Sequence, residues 1–190
     1  MLTQLISRVR RNHGLEHASI HVLSEKHKNF SAQGNSNHKG FTLNIYGNIT
    51  EEAVADAVEE AFGRMKKGEH HLAVHPNCGT VLLTTATMAA LAAQASFAFE
   101  QRRQKQPQMN LSVLLNALPT AVLAVVVSLI ISRPIGVQLQ AKYTVEGDLK
   151  EMALQSIRPV QPSPVTRLFQ LLLTGGSQTN AKSYRITTIN

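Results

Sequence analysis

Two apolar stretches separated by eleven residues constrain the fold of this chain more than any other feature. The first, TVLLTTATMAALAAQASFAF at 80–99, is diluted by threonines and Gln94, while the second, LSVLLNALPTAVLAVVVSLIIS at 111–132, carries no charge. Each reaches the about 20 residues that an α-helix needs to cross the hydrocarbon core of a bilayer. A soluble helix of that length would keep a polar face, and 117–131 offers only Pro119, Thr120 and Ser128. The pair is therefore expected to be a transmembrane hairpin turned by EQRRQKQPQMN.

With 190 residues, the chain has room for that hairpin and a small soluble domain, but hardly for two full domains. All eight histidines precede residue 76, so the chemistry and the apolar bulk occupy different parts of the sequence. The single cysteine, Cys78, excludes an internal disulfide and with it a stapled secreted scaffold. A net charge of +7 invites a nucleic-acid reading, yet Lys and Arg are spread thinly, with no dense stripe interleaved with aromatics. The first twenty residues lack the apolar core and small-residue cleavage site of an export signal.

Outside the hairpin, Leu2, Leu5, Ile6, Val9, Leu15, Ile20 and Leu23 are spaced for one helix or two short ones, with Gly14 a weak point. The polar run 28–40 reads as loop, and FTLNIYG at 41–47 alternates as a half-buried strand should. Thr50 is a natural N-cap for an amphipathic helix over 51–65, acidic at its start and basic at its end before Gly68. HLAVH at 71–75 leans toward a short strand, and Pro76 with Gly79 forces a turn around Asn77 and Cys78. Beyond Pro134 the chain turns polar: QPSP at 161–164 resembles a linker, LFQLLL at 168–173 is a short apolar run, and SYRITTI at 183–189 has strand character. The expected fold class is thus α+β: a small soluble α/β domain over 1–79, a membrane hairpin over 80–132 (80–99 and 111–132), and a short mixed tail over 133–190 with short strands.

The segment His13-Gly-Leu-Glu16-His17 carries the strongest chemical signal. On a helix, histidines at i and i+4 emerge from one face, one turn apart, and can close on one metal ion. Glu16 beside them has the chemistry of a general base for a metal-bound water. The order HxxEH is that of the inverzincin peptidases. Two ligands do not make a tight zinc site, and His75 and Cys78, separated by two residues in a tight turn, supply the missing types. Cys78 also precedes the start of the first apolar helix, where the dipole and unpaired amides favour a thiolate. The bland alternative is a solvated histidine stripe at 13, 17 and 21 and a small buried cysteine. His21 is a reserve ligand; Glu69 is a candidate orienting partner; His27, His38, His70 and His71 read as solvent-facing.

The run RRNHGLEHASIHVLSE, with GFTLNIYG, GEHHLAVHPNCGT and the paired apolar segments, resembles a family of bacterial membrane proteins common in cyanobacteria and known only as a domain of unknown function. The resemblance covers roughly residues 5–150 by pattern. More distantly, HGxEH paired with HPxCGT ahead of membrane helices is similar to the YqhQ-like membrane proteins, described as predicted metal-dependent enzymes. Both resemblances place motif positions at His13, Glu16, His17, His75 and Cys78, and neither implies a substrate. Inverzincins proper use a distant glutamate as third ligand within a much larger domain, and no motif here supports Glu59 or Glu60 in that role.

Three functional expectations follow. The first is a membrane-anchored, zinc-dependent hydrolase or peptidase, with His13, His17, His75 and Cys78 as the metal set and Glu16 as catalytic base. The second is a non-catalytic membrane protein whose closed metal site acts in partner binding or complex assembly. The third uses Cys78 as a nucleophile with His75 or His17 as its base. A deaminase is disfavoured, since its signature needs a second cysteine. The expected partners are the lipid bilayer, a membrane protein and a small-molecule or peptide substrate, not nucleic acid. Basic residues at 64, 66, 67, 133 and 142, against those at 102, 103 and 105, lean toward cytoplasmic termini in an inner or thylakoid membrane.

Overall fold

The computed structural model describes residues 2–168 and 181–189. It is a mixed α+β chain that divides into two compact units, residues 1–75 with 141–190, and residues 76–140.

In the first unit, helix α1 (Leu2–Lys26) is continuous through Gly14 and buries Leu15, Ala18, Val22 and Leu23. Helix α2 (Glu51–Lys66) starts where Thr50 accepts a hydrogen bond from the Ala53 amide, and buries Val54, Ala57, Val58, Ala61 and Met65. Its basic end is held by Arg64, which pairs with Glu69 at 2.8 Å and with Glu25 of α1 at 2.7 Å.

Strands β1 (Ser31–Asn37), β2 (Gly40–Tyr46), β3 (Ala153–Val160) and β4 (Lys182–Ile189) form one antiparallel sheet in the order β1-β2-β4-β3. The central pair aligns Phe41 with Ile186 and Leu43 with Tyr184, placing four buried side chains on one face by the two-residue period of a strand. They form one core with Ile45, the apolar faces of α1 and α2, and Leu149 and Met152. Pro159 is tolerated in β3 because that strand lies at the sheet edge.

Three local expectations change. The polar run 28–40 contains strand β1, because an edge strand draws its stability from backbone pairing and needs few apolar side chains. His38 and Lys39 form a two-residue hairpin closed by Gly40 at φ +133°, where an added Cβ would lie 2.1 Å from the Ile186 carbonyl oxygen. HLAVH does not extend as a strand; His70–Ala73 is a single 3-10 turn that buries Leu72 and Ala73. Gly14 does not break α1. An added Cβ there would sit 2.7 Å from the Glu146 carbonyl oxygen and 3.1 Å from the Ala73 Cβ, so the glycine admits two distant segments to the helix surface.

The segment after residue 140 is clamped to the first half of α1. The Arg10 guanidinium donates to the carbonyls of Lys142 and Val145, the Ser7 hydroxyl to Glu146, and the Glu146 amide to the Arg10 carbonyl. Asn12, fully buried, donates to the Asn37 carbonyl and accepts from the Thr188 hydroxyl, so one side chain ties α1 to both β1 and β4.

The second unit consists of α3 (Gly79–Arg103) and α4 (Leu111–Leu139), with Asn110 capping α4 through the Val113 amide. Both helices are long and apolar enough to cross a membrane, and both run further than the expected 80–99 and 111–132. The side of α4 buried in the hairpin is a seam of mostly small residues, Ala117, Ala121, Ser128, Ser132 and Gly136, repeating at four or seven. Small side chains let apolar helices approach closely without any hydrophobic drive between them. At Gly136 an added Cβ would lie 2.9 Å from the Val81 Cα, and the Ser132 hydroxyl reaches Thr85 at 3.0 Å. Leu82, Leu83, Leu91, Leu123 and Ile130 face outward, 58–70 % exposed. Of the apolar run at 168–173, only Leu168 falls among the described residues.

The steric role of Gly14 gives a prediction opposite to helix propensity. In an open helix Gly→Ala stabilises by up to about 1 kcal/mol. Here Gly14→Ala is expected to destabilise by about 1–2 kcal/mol, as overpacking does. Urea unfolding of the full chain in detergent, followed by circular dichroism, measures the sign.

Candidate metal centre

The i, i+4 spacing of His13 and His17 is realised in an uninterrupted helix, and their rings lie 4.3 Å apart. Each ring is aimed by a backbone carbonyl far away in sequence. His13 Nδ1 lies 3.0 Å from the Thr144 oxygen, and His17 Nδ1 lies 2.8 Å from the Ala73 oxygen. A carbonyl only accepts, so in both rings Nδ1 carries a proton, and in the neutral imidazole Nε2 then carries the lone pair. That is the arrangement of metal-ligating histidines, whose second nitrogen donates to a carbonyl or carboxylate that fixes tautomer and ring orientation.

Cys78, three residues beyond His75, caps the N-terminus of α3 and is buried. The ligand atoms of His13, His17 and Cys78 all lie within 4.8 Å of one another, a largely buried group that could hold a metal ion. A tetrahedral zinc would hold two nitrogens and a sulfur about 3.3–3.7 Å apart. Position at a helix N-terminus favours the thiolate form of Cys78, the form that ligates.

His75 is outside that group. Its ring stands 5.8 Å from His17 and 4.9 Å from His21, both measured between centroids. Burial, reinforced by the neighbouring His21 and His17, pushes His75 down to about 4, so it is neutral at neutral pH. His21 donates from Nε2 to the Val74 carbonyl at 2.9 Å, the third histidine of α1 anchored on backbone oxygen.

Glu16, also outside the three-residue group, is buried with its carboxylate against β1. It accepts from the Ser36 hydroxyl at 2.5 Å and lies directly over Gly34, where an added Cβ would collide with it. Gly34 and Ser36 share one strand face, so β1 presents a cradle of one vacancy and one donor to this carboxylate. Glu60 and Glu69 are engaged elsewhere, with Lys26 and Arg64.

Sequence reasoning brought forward both ligand segments but not the carbonyls of Ala73, Val74 and Thr144. No side-chain signal marks a backbone acceptor; only Gly14, which lets those segments approach, left a trace in the sequence.

In comparisons with known proteins, residues 8–157 match the family model described as Domain of unknown function (DUF6391). The chain is also similar to an uncharacterised protein of Picosynechococcus sp., 36% identical over 98 residues, which is 45% of this chain and 47% of that protein. It thus spans about half the length of that relative. No solved structure matches it. The match at 8–157 takes in the histidine pair, the cysteine, both apolar helices and the segment carrying the Thr144 carbonyl, and by it the chain belongs to the DUF6391 family.

Proposed function

We propose that this protein is a membrane-anchored zinc protein in which His13, His17 and Cys78 hold the ion and a fourth position is left for water, substrate or an exchangeable ligand. The observation that carries the reading is the pair of Nδ1 contacts to the Thr144 and Ala73 carbonyls. They set both imidazoles in the tautomer that offers Nε2, an expensive ordering of two side chains that a merely solvated histidine stripe does not require. Zinc fits the donor set of imidazole and thiolate. Copper also accepts two histidines and a cysteine, and elemental analysis separates the two.

Anchoring rests on α3 and α4. Their outward leucines, valines and isoleucines form an apolar surface far larger than a soluble monomer exposes, and a bilayer covers it without further partners. Cys78 caps α3, so the ion would sit beside the point where the chain meets the membrane, on the cytoplasmic side by the charge distribution of the flanks.

On the finer question of reaction we propose a metal-dependent hydrolase. Three protein ligands and one open position are the pattern of catalytic zinc, whereas four protein ligands are structural. When bound, zinc would supply an acidified water. Glu16, one residue from His17, is the carboxylate that would take its proton, held ready by Ser36. A second reading is favoured by burial: His17 and Cys78 are only 3 % and 6 % exposed, as suits an ion that fastens α1 to the turn before α3 in a protein that binds or assembles a membrane partner.

Detergent-purified wild-type protein is expected to contain about one zinc per chain, and His17→Ala and Cys78→Ser to lose it, by elemental analysis. A wild-type protein purified metal-free under chelator-free conditions that also fails to take up added zinc would refute the proposal. Glu16→Gln is expected to retain zinc while failing to complement a deletion strain. Full complementation at wild-type metal content would eliminate general-base catalysis and leave the structural reading.

A further inference from the structure

The four ring systems at this site are not equally deep. His17 is buried and His13 half-buried, within the three-ligand group, while His21 and His75 are half-buried beside it. Their centroid separations run 4.3 Å for His13 to His17, 5.8 Å for His17 to His75, and 4.9 Å for His75 to His21. Two imidazoles bound to one tetrahedral zinc, each nitrogen at 2.0–2.1 Å, place their centroids about 5 Å apart. At 4.9 Å, the His21–His75 pair is spaced as two imidazoles sharing one ion would be, and His75 also neighbours His17 of the three-ligand group.

Resting on the proposed metal site, we infer that His21 and His75 form a second, outer metal station through which the ion reaches His13, His17 and Cys78. The outer ligand on α1 is pre-set: donation from His21 Nε2 to the Val74 carbonyl leaves the lone pair on Nδ1. Val74 precedes His75 directly, so one stretch of extended backbone both orients His21 and carries its partner. His75 neighbours His21 on one side and His17 on the other, which makes it the ligand that changes hands. Two imidazoles bind an ion too weakly to retain it, and that is what a transfer station needs.

The transfer is a series of ligand exchanges without change of oxidation state. His21 and His75 would hold the ion first, with water completing its shell, and His17 Nε2 would replace His21. His13 Nε2 and Cys78 Sγ would then replace His75. Cys78 would bind as the thiolate, and any proton still on its thiol would pass to solvent.

Cobalt(II) is the probe, because a thiolate-to-cobalt charge-transfer band appears only when the ion has reached Cys78. Full-length protein in detergent, stripped with chelator, is mixed with Co2+ and the band followed in time; release is followed after adding excess chelator. His21→Gln keeps a donor for the Val74 carbonyl and removes the Nδ1 lone pair. The variant is expected to reach the wild-type band at the wild-type midpoint concentration. Loading and release are both expected to be slower by about tenfold, the scale on which lost outer partners move metal chemistry. His75→Gln should slow both rates likewise, and the double variant should be no slower than the worse single one, since the two residues serve one step. Unchanged rates in His21→Gln and His75→Gln would overturn the transfer station. So would a weakened midpoint or a reduced final band in His21→Gln, which would make His21 a ligand of the resting ion. Wild-type protein that develops no charge-transfer band would remove the underlying metal site itself.

Discussion

The candidate centre depends on how closely backbone can approach α1 at Gly14. Two segments meet the helix there: the end of the 3-10 turn at Ala73 and the stretch at Glu146. The same segments supply the carbonyls that orient His17 and His13. A side chain at position 14 would push against both at once, so the glycine between the two histidines governs the aim of each. Helix propensity disfavours Gly at mid-helix by about 1 kcal/mol relative to Ala, and the rest of α1 offsets that cost by burying Leu15, Ala18, Val22 and Leu23. The Arg10 bonds to Lys142 and Val145 and the Ser7 bond to Glu146 hold the second segment in place, one and two turns before His13.

Much of this arrangement was legible in the sequence, and the parts that were share a property. Helix α2 followed from its cap, its apolar period and its charged ends; the hairpin followed from length and lack of charge; the histidine pair followed from a spacing of four. All are local patterns. Strand β1 was missed because SAQGNSN contains no apolar alternation, and its place comes from the ladder to β2 across a two-residue turn. SYRITTI reads as a strand, but nothing local says that Tyr184 would lie opposite Leu43. That pairing is set by the shared core, after more than a hundred residues of intervening chain. HLAVH at 71–75 reads as a short strand because β-leaning residues suit an extended chain; burial of Leu72 and Ala73 in the 3-10 turn His70–Ala73 decides otherwise.

The separation of roles along the chain has a physical basis. In α3 and α4 the inward seam is small and weakly polar, so the hairpin is held by close backbone approach and hydroxyl contacts such as Ser132 to Thr85. Such packing tolerates an apolar surround on all other sides. The unit made of α1, α2 and the sheet is held by a core that water must not enter, in which the buried Asn12 is satisfied by Asn37 and Thr188. Ordering imidazoles is feasible in this second environment, where rigid backbone oxygens surround the rings, and would be far costlier in the first.

Charge counting sharpens what Glu16 contributes under either functional reading. Zinc with two neutral histidines and one thiolate carries a net single positive charge, and leaving that unbalanced in a site as buried as His17 and Cys78 would be unfavourable by several kcal/mol. A carboxylate on the neighbouring residue of the same helix would supply the balancing charge of the proposed ion without occupying a coordination position. Gly34 and Ser36 appear on β1 at the two positions that face it, one by absence of a side chain and one by donating a hydroxyl. A carboxylate so held can neutralise the centre as it stands, and in a hydrolytic reaction it can also receive a proton from bound water. On the proposed reading the order HxxEH acquires a physical sense beyond ligand spacing: the histidines would fix the ion, and the glutamate between them would make its charge tolerable in a buried place.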